Sequence, residues 1–254
     1  MHLLSSPLAA VLVLFSCSAV AFGDEAADAL IKKGDVHYAR LQPGEALKYY
    51  LPAEKLDPDN SSLLVRIARQ YRHLHSEATQ KAEKEKCAEI AVAYANRAAA
   101  LTPNDSEAQL AVAVSYGKLL PFEDTKEKLA CSKAIKIAAE RAIKLDPQGD
   151  VAWQVLGRYY YGYAEVSPVK RALGNLRYGQ IPEAKFEDAA RCFEKAIALN
   201  PNRLMHYIEL GRTYAKMNRT GEARKLIAKG ISMPNTEKDD PETKQMGREI
   251  LKTL

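Results

Sequence analysis

A short proline-containing turn recurs along this chain, and it constrains the fold more than any other feature. Its copies are Asp57-Pro58, Thr102-Pro103, Asp146-Pro147, Asn200-Pro201 and Met233-Pro234. Each proline follows an alanine-rich stretch with helically spaced apolar residues, and a new stretch of the same kind begins soon afterwards. Because proline cannot continue a helix, the pattern predicts helices that alternate with turns. The chain is therefore expected to be an all-α repeat protein.

Small and aromatic residues between these turns follow the tetratricopeptide pattern of two packed helices per repeat. The clearest copy precedes Pro201 and carries Trp153, Leu156, Gly157, Tyr160, Ala189, Phe193 and Ala196. Small residues in the first helix let the second helix approach closely, and aromatic residues fill the space between successive hairpins. We therefore predict a right-handed tetratricopeptide-like solenoid of about five helical hairpins with a C-terminal capping helix.

The repeat domain is predicted to cover residues 24–254, with units that start near residues 27, 61, 106, 150 and 204. Successive turn prolines are 45, 44, 54 and 33 residues apart, whereas a plain repeat has about 34 residues, so three units carry insertions. The insertion over residues 162–185 is rich in Gly and Pro and predicts a loop with a short helix near residues 169–176. The capping helix is expected over residues 237–254, with Thr236 as its N-cap.

The first 23 residues contain no Lys, Arg, Asp or Glu. The apolar stretch from Leu8 to Phe22 is too short for a membrane span, which needs about 20 residues. Small residues at Ala19 and Ala21 suit a cleavage site, so residues 1–23 predict a signal peptide and a secreted or periplasmic protein. Two alternatives remain open: an N-terminal anchor with the protein facing the cytoplasm, and a lipoprotein whose Cys17 is lipidated.

The remaining composition favours no catalytic, metal or nucleic-acid site. Lys and Arg together number 37 against 32 Asp and Glu, a mild excess that does not require a polyanionic partner. No phosphate loop, hydrolase or metalloprotease motif occurs, so we expect no catalytic residues, no cofactor and no metal. Cys87, Cys131 and Cys192 lie in helical stretches and are expected to be buried thiols, with a disulfide as the alternative.

The repeat register brings basic and tyrosine side chains together on the inner, concave face of the solenoid. The predicted partner-binding residues are Arg69, Arg72, Arg158, Tyr161 and Arg212. Because the planar guanidinium group pairs well with carboxylates, the expected ligand is a protein partner with an acidic peptide. Two alternatives stay open: Arg66, Arg69 and Arg72 could form a solvated stripe paired with nearby acids, and the region of Arg158 and Tyr161 could serve an enzyme or bind a small ligand.

From the third unit onward the chain resembles the regulator of microtubule dynamics family. The resemblance lies in the order and spacing of Ala142-Ile143-x-Leu145-Asp146-Pro147, Leu156-Gly157-Arg158-Tyr159-x-Tyr161, Gly179-x-Ile181-Pro182, Asp188-Ala189-Ala190, Phe193-x-Lys195-Ala196 and Met233-Pro234. It implies a non-enzymatic adaptor that associates with microtubules or with mitochondrial and other membranes. Since an exported protein would not meet tubulin, microtubules are expected as partners only if the chain is cytoplasmic, and a membrane only through the N-terminal segment.

Overall fold

The computed structural model describes residues 25–254, which form helices and connecting turns without any β-strand in that range. The predicted signal peptide, its anchor alternative and Cys17 lie outside the described residues. The helices, in chain order, are α1 (residues 25–38), α2 (Pro43–Leu56), α3 (Ser61–Glu77), α4 (Lys81–Leu101), α5 (Ser106–Leu119), α6 (Thr125–Leu145), α7 (Asp150–Ala164), α8 (Pro168–Tyr178), α9 (Phe186–Leu199), α10 (Leu204–Lys216), α11 (Thr220–Ser232) and α12 (Asp240–Thr253). A 3-10 turn, Leu120–Phe122, follows α5.

These helices pair into successive antiparallel hairpins. Helix α3 packs on α4, α5 on α6, α7 on α9, and α10 on α11, and each second helix also packs on the first helix of the next unit. Every hairpin therefore buries apolar surface that it could not bury alone, which is how a solenoid is stabilised. The predicted all-α helical-hairpin solenoid is confirmed.

Glycines in the first helices set how closely the two helices of a hairpin approach. A Cβ atom at Gly157 would lie 2.7 Å from Cε1 of Phe193, and one at Gly211 would lie 2.5 Å from Cγ1 of Ile227. Both distances are far below van der Waals contact, so only glycine allows this packing. Phe193 and Ile227 are fully buried as a result.

The first helices of neighbouring units also contact one another and form the inner wall of the solenoid. Helix α3 contacts α5, α5 contacts α7, and α7 contacts α10. The second helices of neighbouring units, such as α4 and α6, do not contact one another to the same extent, which puts them on the outer, wider wall. Side chains on the inner faces of α3, α5, α7 and α10 consequently border one concave surface.

The capping helix begins at Asp240 and not at residue 237 as the sequence predicted. Pro241 occupies the first turn of α12, and proline is favoured there because its fixed φ suits a helix start and its missing N–H would have no intrahelical partner. The predicted N-cap Thr236 instead donates its backbone N–H to Oδ2 of Asp240 at 2.7 Å. Residues 233–239, here called the strap, are therefore an irregular segment with a turn.

The insertion in the fourth unit carries α8 as its short helix. The Arg171 guanidinium ties this helix down by donating to the backbone oxygen of Tyr163 at 2.8 Å. The opposite face of α8 exposes Val169, Leu173 and Leu176. No helix in residues 25–254 combines the length and apolar character that a membrane span requires.

Candidate functional site: a groove on the concave face

The concave wall encloses a groove of about 1120 Å³. Its sides come from the inner faces of α3, α5 and α7, from parts of α6 and α10, and from residues 237–239 of the strap. The lining combines apolar side chains, including Val65, Val114 and Val155, with basic ones. It is large enough for several residues of a peptide.

All five predicted partner-binding residues border this groove: Arg69, Arg72, Arg158, Tyr161 and Arg212. The structure thus brings together residues from three repeats that are up to 143 positions apart in the chain. They differ in what they already contact, and this decides which of them can take a ligand.

Arg69 belongs to the exposed network at the first end of the groove. Its Nη1 donates to the Tyr38 hydroxyl at 2.9 Å, and its Nη2 lies 3.4 Å from Oε2 of Glu107. One helical turn earlier, Arg66 Nε lies 2.9 Å from Oδ1 of Asp35. For these two arginines the alternative of a stripe paired with nearby acids therefore describes the observed contacts.

Arg72 lies one turn further along α3 and is in a different situation. The residue is 9% exposed, and its Nη1 donates to the Ser115 hydroxyl at 3.2 Å. Burial and the neighbouring charge of Arg69 lower its pKa to about 9. A guanidinium has five N–H donors, and within residues 25–254 no carboxylate lies within 4 Å of this one. Arg72 is thus a buried cation that borders the groove without an ion-pair partner there.

Arg158 and Arg212 share the carboxylate of Glu209. Arg158 Nε lies 2.7 Å from Oε1, and Arg212 Nη2 lies 3.0 Å from Oε2. Glu209 has no exposed surface, whereas the Arg158 side chain is 51% exposed towards the groove. The Glu209 charge raises the pKa of Arg158. The cluster of two cations and one anion carries a net positive charge.

Tyr161 packs its ring against Arg212 of this cluster. The Arg212 guanidinium carbon lies 3.9 Å from the centre of the Tyr161 ring, a cation–π arrangement. The residue is 4% exposed, and its hydroxyl donates to Oε1 of Glu165 at 3.1 Å. Burial raises the pKa of this phenol. The sequence predicted a ring that contacts a partner, but Arg212 covers this ring, so its visible role is to position the arginine.

A second network surrounds Asp150 at the far end of the groove. Its Oδ2 lies 2.8 Å from Arg203 Nε and 2.8 Å from His206 Nε2. Burial raises the pKa of Asp150, but the His206 hydrogen bond and the Arg203 charge outweigh it and hold the pKa below its usual range. Arg203 Nη1 also lies 2.7 Å from Oε1 of Glu237 in the strap.

Besides backbone contacts with α11 and α12, the strap makes polar side-chain contacts with the first half of the solenoid. Asp239 Oδ2 lies 2.8 Å from Lys118 Nζ, and Asp239 also accepts from the Ser76 hydroxyl. Lys238 Nζ donates to the backbone oxygen of Leu41 at 3.2 Å and forms an ion pair with Glu77. Burial raises the pKa of Asp239, while Lys118 and Ser76 outweigh it and lower the pKa overall.

Sequence reasoning missed the acidic side chains of this site, namely Glu209, Asp150, Glu237 and Asp239. The position of Glu209, three residues before Arg212 in a predicted first helix, is a usable signal, because residues three apart on a helix are neighbours. Pro241 is a second signal, since it would have placed Asp239 before the helix. No local signal indicates that Asp239 meets Lys118.

The described residues show no group of three or more metal-ligating side chains. Cys87, Cys131 and Cys192 are free thiols, and the last two are buried. Burial raises the pKa of Cys192 to about 12, so this thiol is a poor nucleophile at neutral pH. The chemistry that the groove offers is recognition of anionic groups by Arg72 and by the Arg158 cluster.

Comparison with solved structures shows the same fold. A tetratricopeptide protein from Thermus thermophilus superposes with a TM-score of 0.64 at 18% identity, covering 88% of this chain and 99% of the other. MamA from Desulfovibrio magneticus superposes with a TM-score of 0.53 at 16% identity, over 82% of this chain and 94% of the other.

Sequence comparison identifies the family as well as the fold. Mouse regulator of microtubule dynamics protein 1 is 26% identical over 244 residues, which is 95% of this chain and 79% of the mouse protein. Regulator of microtubule dynamics protein 2 of Macaca fascicularis is 26% identical over 234 residues, and there the chain spans only 56% of the relative's length. The family profile described as regulator of microtubule dynamics protein 1-3 matches residues 25–254. The chain therefore belongs to the regulator of microtubule dynamics protein family.

Proposed function

We propose that this protein is a non-enzymatic tetratricopeptide adaptor that binds an acidic segment of a protein partner in the concave groove. The observation that carries the proposal is Arg72, a buried cation at the groove wall whose one described hydrogen bond goes to the neutral Ser115. A buried charge is costly unless it is paired. A carboxylate from a partner would supply that pairing in a charge-assisted hydrogen bond.

The Arg158 cluster supports the same ligand chemistry. Arg158 and Arg212 share one carboxylate, and the half-exposed Arg158 side chain faces the groove. The apolar side chains Val114 and Val155 also line the groove and would contact apolar atoms of a bound peptide. A peptide with one carboxylate that reaches Arg72 and a second that reaches Arg158 matches the groove.

Peptide titration tests the proposal. The probe is a fluorescein-labelled peptide of alternating Glu and Gly, and its control replaces every Glu by Gln. We expect the Glu peptide to bind more tightly, and Arg72→Gln and Arg158→Gln each to weaken it about tenfold, since a hydrogen bond to a charged group contributes about 1.5–3 kcal/mol. Binding should weaken as salt is raised.

Arg224→Gln is the matched control, because Arg224 is an exposed arginine on the second helix α11 and does not border the groove. Circular dichroism verifies that each variant is folded. Equal affinity for the Glu and Gln peptides would refute the proposal, and so would an Arg72→Gln protein that binds as well as Arg224→Gln.

A second candidate function is regulation of microtubule dynamics, which the family membership over residues 25–254 favours. In this alternative residues 1–23 anchor the protein in a membrane with the repeat domain in the cytoplasm or at mitochondria. Co-sedimentation with polymerised tubulin tests it, and loss of co-sedimentation in Arg72→Gln would connect it to the groove. A protein that stays in the supernatant at low salt would contradict it.

The cellular location decides between these two settings. We propose that residues 1–23 are a signal peptide that exports the repeat domain. N-terminal sequencing of the mature protein tests this: a start at Phe22 or close after it supports export. An N-terminus that retains residues 1–23 supports the anchor, and a lipidated Cys17 supports a lipoprotein.

A further inference from the structure

We infer that the strap is an internal ligand of the groove, and that the partner segment carries the same arrangement of two carboxylates separated by one residue. This inference rests on the proposed function and names the ligand more narrowly. Glu237 and Asp239 are the two acidic residues involved, and Lys238 lies between them. The groove would thus recognise an acid-x-acid sequence, and its own strap would compete for it.

The two carboxylates occupy separate basic positions along the groove. Glu237 pairs with Arg203 just before α10, and Asp239 pairs with Lys118 at the end of α5. Asp239 also accepts from the Ser76 hydroxyl on α3, so its position is fixed from two helices. This pairing of each acid with a cation from a different unit is the pattern expected of a bound acidic ligand.

Lys118 shows that the strap fills a position that would otherwise be open. In the described part of the chain, Asp239 is the only carboxylate within 4 Å of the Lys118 ammonium group. Arg203 differs, because it keeps Asp150 as a second partner at 2.8 Å. Lifting the strap would therefore leave Lys118 without an ion-pair partner, and it would remove the Asp239 charge that acts on the buried cation Arg72. An incoming acidic segment would find two unneutralised positions there.

The strap is held in a way that permits displacement. None of residues 233–239 is buried, and its described contacts with the first half of the solenoid are polar. Ion pairs that remain partly exposed contribute little stability. The flanking helix is held independently, because Gly247 of α12 packs closely against Ile227 and Ile208. The side chains of Glu237 and Asp239 can thus leave their cations while α12 stays docked.

A trans-binding experiment tests the inference. The labelled probe is the peptide Ser-Met-Pro-Asn-Thr-Glu-Lys-Asp-Asp-Pro, which reproduces residues 232–241. It is titrated against the wild-type protein and against the double variant Glu237→Gln, Asp239→Asn, in which the strap loses both paired charges. We expect the variant to bind the probe at least about tenfold more tightly than the wild type, because internal competition is removed.

Two controls separate site occupancy from a general charge effect. The double variant Glu187→Gln, Glu249→Gln removes the same number of charges from exposed positions in α9 and α12 and should bind the probe like the wild type. A second probe, with Gln in place of the one Glu and Asn in place of the first of the two Asp, should bind the strap variant at least about tenfold more weakly than the acidic probe.

The outcomes distinguish this inference from the proposed function. If wild type and strap variant bind the acidic probe equally, the strap does not occupy the site and the inference is overturned. If the alternating Glu and Gly peptide still binds through Arg72 in that case, the proposed function stands. If neither acidic peptide binds better than its neutral counterpart, both are overturned.

Discussion

Replacement of Glu209 by Gln separates two effects of the ion cluster formed by Arg158, Glu209 and Arg212: its contribution to stability and its contribution to peptide binding. Glu209 is fully buried and neutralises part of the charge of Arg158 and Arg212. Gln has nearly the same shape and keeps a hydrogen-bond acceptor, but it carries no charge. The variant should therefore be less stable and should bind acidic peptides more tightly, two effects with opposite consequences for function.

The magnitude of the stability loss follows from burial. Breaking a fully buried ion pair costs about 3–5 kcal/mol, whereas an exposed pair contributes at most about 1 kcal/mol. Here the carboxylate is buried, but the Arg158 and Arg212 side chains are 51% and 24% exposed, so water screens the cations that remain. We expect a loss of about 2 kcal/mol. With a typical urea dependence of about 2 kcal/mol per molar, the unfolding midpoint should fall by about 1 M.

Urea unfolding followed by circular dichroism at pH 7 measures this loss. The matched control is Glu222→Gln, the same substitution at an exposed carboxylate that pairs with Arg219 on the outer helix α11. The control midpoint should stay close to that of the wild type. If Glu209→Gln is no more destabilising than Glu222→Gln, the cluster does not contribute to stability as argued.

The binding half of the prediction uses the Glu and Gly peptide at low salt. With Glu209 neutralised, Arg158 and Arg212 present two charges where the wild type presents a net single charge. Affinity for the acidic peptide should rise several-fold, and the difference should shrink at 0.5 M salt because screening shortens the range of the interaction. A weaker affinity in the folded variant would mean that Glu209 positions Arg158 more than it neutralises it.

Four further substitutions test the fold and its pH response. Gly211→Ala places a Cβ 2.5 Å from Cγ1 of Ile227 and should cost about 1–3 kcal/mol by thermal or urea unfolding, whereas Gly117→Ala, with open space around its Cβ, should be neutral or stabilising. Burial, and next the charge of Arg72, lower the pKa of His73 to about 4, so below pH 6.5 the unfolded chain takes up a proton that the folded chain does not. Stability should fall from pH 6.5 towards pH 4 with up to about 1.4 kcal/mol per pH unit from this residue, and His73→Gln should flatten that slope. Leu176→Ser, at a side chain that is 86% exposed, should change the unfolding free energy by less than about 0.5 kcal/mol.

The repeat architecture was predictable because it depends on local signals that the chain repeats. Proline ends each hairpin, and small residues such as Gly157 allow the close helix approach that the structure shows with Phe193. Once the hairpins are known, register alone places Arg72 and Arg158 on the concave side. The position of these residues therefore follows from periodicity, without any long-range information.

Their ion-pair partners were not predictable in the same way. Glu209 is buried because α7 and α10 approach each other, and its sequence neighbourhood resembles that of an exposed helical glutamate. Asp239 meets Lys118 only because the solenoid curves enough for residues 121 positions apart to touch. The sequence pattern indicated a helix from residue 237 with Thr236 as its N-cap, a reasonable interpretation of Thr-Glu-Lys-Asp-Asp taken alone. Curvature is a sum of small rotations between units, and no single residue encodes it.

The contacts of the strap also change which of the five predicted partner-binding residues are expected to contact a ligand directly. Arg69 and Arg212 are engaged with Tyr38 and Glu209, so substitutions there would alter the scaffold of the groove as well as its surface. Arg72 has no carboxylate within 4 Å in residues 25–254, although the charge of Asp239, which pairs with Lys118, acts on it from a longer distance. An acidic partner that displaces the strap would therefore neutralise Lys118 as Asp239 did and would pair Arg72 in addition. That additional pairing is the physical reason why an external ligand can outcompete a segment that is covalently attached and always present.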